Sequence, residues 1–167
     1  MKSYLELLAG GDLRSIGHSN EIVNRIKTQE EFDNLFQFIF HKDRIIAMRA
    51  ADAIEKLTLT NDIYLTKHKT EIINLCKVHL NKEVKWHLAL LVTRLLLSND
   101  EHPKIWELLF SWALDKKESK IVRVNAVQGL FNLLQKNKQY KDDFDLIMAN
   151  LRKENIPSIN ARIKKMG

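Results

Sequence analysis

The chain has 167 residues, of which 45% are hydrophobic and 29% charged, with 27 Lys and Arg against 21 Asp and Glu. This composition excludes a disordered or fibrous chain, and the length predicts one globular domain, residues 1–167. The net charge of +6 permits an acidic partner without requiring one. Cys76 is the only cysteine, which excludes an internal disulfide framework and favours a reducing, cytoplasmic setting. The most apolar window, residues 86–97, is short and contains Arg94, so we expect neither a membrane span nor a membrane partner.

The first 28 residues predict short N-terminal capping helices that precede a repeated pattern. The two helical stretches are "SYLELL" and "SNEIVNRIK". Between them, the segment from Gly10 to Asn20 is the least helix-like part of the chain, and Gly10 and Gly11 are placed to end the first helix. The segment lacks the spacing of a phosphate-binding loop. We interpret it as a turn, and a loop that contacts a ligand is the alternative.

Residues 29–165 predict about four successive helix pairs. The first helices of the pairs each carry apolar residues on one face: "QEEFDNLFQFIF", "KTEIINLCKVHL", "HPKIWELLFSWAL" and "DDFDLIMANL". Thr28 and Glu31 have the spacing of a capping box before the first of these, and Pro103 falls in the first turn of the third. The surroundings of Cys76 predict a buried structural thiol. The last stretch, "NIPSINARIKKM", resembles a truncated final helix.

The second helices of the pairs repeat at an interval of 38 residues. Three columns of apolar residues recur at this interval, at the i, i+4 and i+8 spacing of a buried helical stripe. The columns are Ile46, Val84 and Val122; Ala50, Leu88 and Ala126; and Ile54, Val92 and Leu130. A preferred N-cap residue precedes each helix at the same place: Asp43, Asn81 and Ser119. Because one amphipathic pair cannot hide its stripe alone, the pattern predicts an all-α fold, an α-α superhelix of stacked pairs.

The segment "KIVRVNAVQGL" resembles the second helix of a HEAT repeat, whose signature is Val-Arg, two variable residues and then Ala. Val122, Arg123 and Ala126 match this signature well. Lys85 is the corresponding basic residue one unit earlier, whereas the first unit departs from the pattern with Ala47. The resemblance implies about four HEAT-like helical hairpins.

The same resemblance implies a structural role for the basic residue of the signature. In HEAT-like proteins this residue commonly bonds to an acidic group or a carbonyl between repeats. We therefore expect Lys85 and Arg123 to be structural.

A helical wheel places one column of the second helices outward, and this column is apolar where a solvated face would be polar. Basic and amide groups flank it, as in a binding groove with apolar anchors and a polar rim. The candidate partner-binding residues are Met48, Arg49, Lys56, Trp86, His87, Leu90, Arg94, Val124 and Asn125. The alternative is that stacking, or the helix "SYLELL", covers these residues and makes them core.

We interpret the chain as a non-catalytic HEAT-like interaction module that binds a protein segment on its concave face. In the competing interpretation the chain binds nucleic acid, with the same cations meeting phosphates and Trp86 stacking on a base. The pattern specifies neither the partner nor the oligomeric state.

Catalysis has little support in the sequence. The six His lack zinc-ligand spacing, so we expect no metal and no cofactor. Some HEAT-like proteins are alkylpurine DNA glycosylases, enzymes that use an aromatic cleft and a catalytic Asp, so the resemblance implies this enzyme class as an alternative. Trp106, Trp112 and Asp115 supply such residue types, but both Trp lie on a first-layer helix, away from Trp86.

Overall fold

The computed structural model describes residues 3–9, 18–78 and 81–166. These residues form ten α-helices and four 3-10 helices, and no strand occurs among them. The chain divides into two compact units, Met1–Leu88 and Ala89–Gly167. The all-α prediction is confirmed. The predicted turn between Gly10 and residue 17 lies outside the described residues.

The first unit is built around one long helix that smaller helices surround. Its elements, in chain order, are α1 (Tyr4–Leu8), α2 (Ser19–Arg25), α3 (Gln29–Phe36), a 3-10 helix (Gln37–Phe40), α4 (Arg44–Leu57), a 3-10 helix (Asp62–His68), α5 (Lys69–Leu75) and α6 (Lys82–Leu91), inside which the division falls. Helix α4 packs against α1, α2 and α3. Its alanines, among them Ala50 and Ala51, are fully buried, since their small side chains allow this close packing.

The second unit contains α8, which like α4 is a long second helix of a pair. Its elements after α6 are a 3-10 helix (Val92–Arg94), α7 (Glu101–Leu114), α8 (Lys120–Lys136), a 3-10 helix (Lys138–Tyr140), α9 (Lys141–Lys153) and α10 (Pro157–Lys164). Helix α8 packs most extensively on α7 and next on α10. The turn into α10 uses a positive φ of 53° at Asn155, a residue type that tolerates this conformation. The predicted truncated final helix is confirmed as α10, with Ile159 and Ile163 buried.

The predicted N-caps at Thr28, Asp43 and Ser119 are confirmed. The Thr28 hydroxyl accepts from the Glu31 amide at 3.3 Å, and the Glu31 carboxylate accepts from the Thr28 amide at 3.0 Å, which completes the capping box. The backbone amides of Lys27 and Thr28, which both donate to the Glu31 carboxylate, lower the pKa of Glu31. Asp43 accepts from the Ile45 amide at 2.8 Å, and Ser119 caps α8.

The apolar stripe of the second helices is buried throughout, as the 38-residue columns predict. All nine members are 4% exposed or less: Ile46, Val84, Val122, Ala50, Leu88, Ala126, Ile54, Val92 and Leu130.

Cys76 follows α5 and is 3% exposed, in agreement with the predicted buried thiol. Burial raises the pKa of this thiol to about 12, because the charged thiolate is poorly solvated there. Since the thiolate is the reactive form, alkylation of the folded protein should be slow.

We expect iodoacetamide at pH 8 to label Cys76 at least ~100-fold more slowly than an exposed thiol. A matched control is the double variant Cys76→Ser, Lys77→Cys, since Lys77 is the exposed neighbour. Labelling is followed by mass spectrometry with and without urea. Equal rates for the two folded proteins would contradict the burial of Cys76.

Candidate functional site

Arg49 and Met48 were predicted to face outward, and this prediction is wrong. Arg49 is 1% exposed and donates from Nη1 to the carbonyl oxygens of Leu8 at 2.8 Å and Ala9 at 3.0 Å. These carbonyls lie at the C-terminus of α1, where helical carbonyls lack partners and a cation is favoured. Met48 is 6% exposed. The alternative that the first helix covers this face therefore holds for Arg49.

Lys56 is half-buried and joins α4 to the start of α2. Its Nζ lies 2.7 Å from Asp52 Oδ2 one turn earlier, and it donates to Ser19 Oγ at 2.9 Å and to Asn20 Oδ1 at 3.3 Å. Three oxygen partners leave this ammonium little capacity for an external anion. Partner binding by Lys56 stays a prediction.

Trp86 differs from the other two tryptophans of the chain in its exposure. Trp106 and Trp112 are 5% and 8% exposed, whereas Trp86 is half-buried. Its ring centroid lies 5.5 Å from that of His87, a buried residue on the same helix whose Nδ1 is hydrogen-bonded to Glu55 of α4. The Trp86 surface, defined as Trp86 with the His87–Glu55 pair, therefore offers aromatic area beside polar groups.

The remaining predicted residues, Leu90, Arg94, Val124 and Asn125, belong to the second unit. Leu90 and Arg94 are half-buried, whereas Val124 and Asn125 are buried at 8% and 9% exposure. A continuous strip from Met48 through Val124 stays a prediction.

Arg123 has the structural role that its place in the repeat predicts. Its side chain is buried, donates from Nε to the Ala113 carbonyl at 2.8 Å, and places Nη2 2.8 and 2.9 Å from the two carboxylate oxygens of Glu154. The bonds join α8 to the end of α7 and to the end of α9. Lys85, the equivalent residue on α6, is half-buried.

A second ion pair links α4 to α6 inside the first unit. Arg44 donates from Nε to Glu83 Oε2 at 2.8 Å and from Nη2 to Oε1. The Glu83 carboxylate is 4% exposed. Burial alone would raise the pKa of Glu83, but the hydrogen bonds and charge of Arg44 outweigh it and lower that pKa.

Because the pKa of Glu83 is lowered on folding, this carboxylate stabilises the protein above its ordinary pKa, and the stabilisation is lost as the pH falls through the folded pKa. We expect Arg44→Met to lower the free energy of unfolding at pH 7 and to lower it less at pH 3.5, where the carboxyl is increasingly protonated. Urea unfolding at both pH values measures this. Lys42→Met, at an exposed position nearby, should show no such pH dependence. An equal loss at both pH values would contradict the role of Glu83.

His68 is a buried polar centre that sequence reasoning did not single out. Its Nε2 lies 2.8 Å from Asp33 Oδ1, its Nδ1 lies 2.7 Å from Glu71 Oε2, and its ring stacks on Phe36 at 3.9 Å. Gln29 donates to Asp33 at 2.6 Å, which with His68 lowers the pKa of Asp33. Both ring nitrogens contact carboxylates, so neither is left for a metal or a substrate, and the cluster holds the 3-10 helix 62–68 on α3.

The residue types of a glycosylase site have structural roles in the second unit. Trp106 stacks on Tyr140 with centroids 4.2 Å apart, and Trp112 is buried. Asp115 Oδ1 accepts from the Lys117 amide at 2.9 Å in the turn after α7. Among the described residues, no group of His, Cys, Asp and Glu could hold a metal ion. No described helix combines the length and apolar character needed to cross a membrane.

A groove of about 700 Å³ lies between α8, α9 and α10. We call it the α8–α10 groove and define it by an apolar floor of Phe131, Phe144 and Met148 and a cationic rim of Lys138, Lys141 and Arg152. Sequence reasoning missed this groove, because no periodic signal shows that α10 lies along one side of it.

Paired helices with a buried stripe, joined by buried arginine bonds, define an α-helical repeat scaffold. A family model described as a HEAT repeat domain matches residues 13–166, and the chain belongs to this family. The predicted repeat fold is thereby confirmed. No curated protein and no solved structure matches the chain.

Proposed function

We propose that this HEAT repeat scaffold is a non-catalytic interaction module that binds a protein segment on its concave face, with Trp86 as the apolar anchor. The partial exposure of Trp86 is the observation that carries the proposal. An indole that is wholly buried stabilises the fold alone, whereas a half-exposed one retains area for a partner, and tryptophans are frequent hot spots of binding.

The groups beside Trp86 support a polar rim. The His87–Glu55 pair is held in place by its own hydrogen bond, so the half-buried carboxylate of Glu55 can orient a partner without first being ordered. Met48, Arg49 and His87 are buried and are proposed to support this surface from within the first unit rather than to touch the partner. Partner binding by Leu90, Arg94, Val124 and Asn125 stays a prediction.

Trp86→Ala should weaken binding of selected peptides at least tenfold, since hot-spot truncations cost about 2 kcal/mol or more. Peptides are selected from a random displayed library on the wild-type protein and then measured by fluorescence polarisation. Leu59→Ala, an exposed apolar position of the same unit, is the control and should leave affinity unchanged. Unchanged binding by Trp86→Ala would contradict the proposal, as would a large loss of folding stability with no specific loss of binding.

Nucleic-acid binding is the second candidate, and the charge near the end of the chain favours it. Between positions 152 and 165 there are five cations: Arg152, Lys153, Arg162, Lys164 and Lys165. The one acid of this segment, Glu154, is already paired with Arg123. Fluorescence anisotropy with single- and double-stranded DNA at two salt concentrations tests this candidate. Binding that falls steeply with salt supports it, and no binding at about 50 mM salt excludes it.

A further inference from the structure

The α8–α10 groove carries a binding role that does not depend on the Trp86 surface. All of its defining residues lie in the second unit, on α8, α9 and the 3-10 helix between them, and Ile163 of α10 lines the same groove. Its volume of about 700 Å³ is within the usual range of ligand sites, ~300–1,000 Å³.

The floor of the groove is apolar and adaptable. Phe144 and Met148 are buried at 7% and 4% exposure, and Phe131 is half-buried with its ring centroid 6.0 Å from that of Phe144. Methionine has a flexible, polarizable side chain that accommodates different shapes. Since most of the floor is already covered, the groove has room for one inserted apolar side chain rather than for an extended apolar surface.

The three cations of the rim are not equally neutralised. Lys141 forms an ion pair with Asp145 on the same helix. Lys138 donates at 3.0 Å to the neutral amide oxygen of Gln135. Arg152 is exposed and forms no ion pair within residues 3–9, 18–78 and 81–166. The rim therefore presents two uncompensated positive charges, which are complementary to an acidic occupant.

The spacing of these charges favours a peptide over a small amphiphilic anion. Lys138 lies in the 3-10 helix that precedes α9, and Arg152 lies in the last turn of α9, a helix of 13 residues or about 20 Å. The backbones of the two cations are therefore near opposite ends of α9. An extended chain covers this length in about six residues, whereas one headgroup places its charge at a single point. The groove is half-open, so the chain can continue beyond it.

We propose that the α8–α10 groove binds a short acidic protein segment. The segment inserts one apolar side chain between Phe131 and Met148 and places its carboxylates against Lys138 and Arg152. Its backbone runs along α9. This interaction is separate from the Trp86 surface.

The test is a peptide array probed with the full chain. Each eight-residue peptide has a central Leu, Phe, Met or Ala flanked on both sides by Glu, Gln or Lys. We expect the Glu-flanked peptides with an apolar centre to bind. Replacing Glu with Gln, or the apolar centre with Ala, should weaken binding at least tenfold.

Matched variants locate the interaction. Arg152→Glu should weaken binding at least tenfold, whereas Lys153→Glu, the same charge change at the next exposed position of α9, should have less than a twofold effect. Phe131→Ala should also weaken binding. Circular dichroism and the midpoint of unfolding check that this variant is folded. Trp86→Ala should leave binding to the α8–α10 groove unchanged. This variant therefore separates a failure of the groove proposal from a failure of the proposal for the Trp86 surface.

Several results would overturn the proposal. They are Gln-flanked peptides that bind as well as Glu-flanked ones, equal losses for Arg152→Glu and Lys153→Glu, abolition by Trp86→Ala, and an array with no binding at all. Decanoate and phosphatidylserine vesicles are assayed in parallel. If either binds through Arg152 while the peptides do not, the groove is a site for lipid anions and the proposal is wrong.

Discussion

Replacing Arg123 with Met should lower the free energy of unfolding by about 3–5 kcal/mol. The guanidinium is 2% exposed and makes charge-assisted bonds to Glu154 together with a bond to the Ala113 carbonyl. Met fills a similar volume, so the cost arises from the buried Ala113 carbonyl and the half-buried Glu154 carboxylate left without a donor rather than from a cavity. Urea unfolding followed by circular dichroism measures the change.

Two further variants separate this interpretation from a general effect of losing an arginine. Arg152→Met, at an exposed position of α9, should change the free energy of unfolding by less than about 0.5 kcal/mol. The double variant Arg123→Met, Glu154→Met should recover part of the loss, because it also removes the unpaired carboxylate. A double variant as unstable as the sum of its two single changes would show that the pair is not coupled.

Gly129→Ala should destabilise the protein by about 1–3 kcal/mol, although Ala is the better helix former. Gly129 lies inside α8, where helix propensity alone would favour Ala by about 1 kcal/mol. A Cβ atom at Gly129 would lie 2.6 Å from the Ala89 carbonyl oxygen and 2.8 Å from Leu109 Cδ1. The leucine can change rotamer, but the carbonyl belongs to a helical backbone, so α8 would have to move.

The control for this change is Gln135→Ala, at an exposed position of the same helix, which should alter stability by less than about 0.5 kcal/mol. Adding Leu109→Ala to Gly129→Ala should not restore wild-type stability, because the contact with the Ala89 carbonyl remains. Thermal unfolding of the three proteins provides the comparison. A rise in stability on Gly129→Ala alone would contradict the close approach of α8 at this position.

The features that sequence predicted well are local or periodic. The caps at Thr28, Asp43 and Ser119 are confirmed because a helix start depends on a few neighbouring residues. Arg123 was assigned a structural role from its place in the repeat, and its two partners confirm it. The second pair was less regular than predicted: α5 ends at Leu75, and its predecessor is a 3-10 helix.

The candidate site was predicted only in part. Trp86 is half-buried, and its role as an anchor stays a prediction. Met48 and Arg49 are buried, and Arg49 bonds to carbonyl groups at the end of α1. The helical wheel used one helix at a time, and it could not show that a five-residue helix from the start of the chain would cover α4. The same limit hid the α8–α10 groove, which needs residues from α8, α9, α10 and the 3-10 helix between α8 and α9.

By itself, the sequence determined the helical class, the 38-residue repeat, the buried stripe and the family of this protein. These follow from the period of apolar residues and from capping, both of which act over a few turns of one helix. The tertiary structure alone decided which polar side chains remain available to bind a partner. Arg49 and Lys56 bond within the first unit, whereas Arg152 is left exposed on the rim of the groove. The physical reason is that hydrogen-bond satisfaction and solvent exposure depend on residues that lie far apart in the chain and meet only when helices pack.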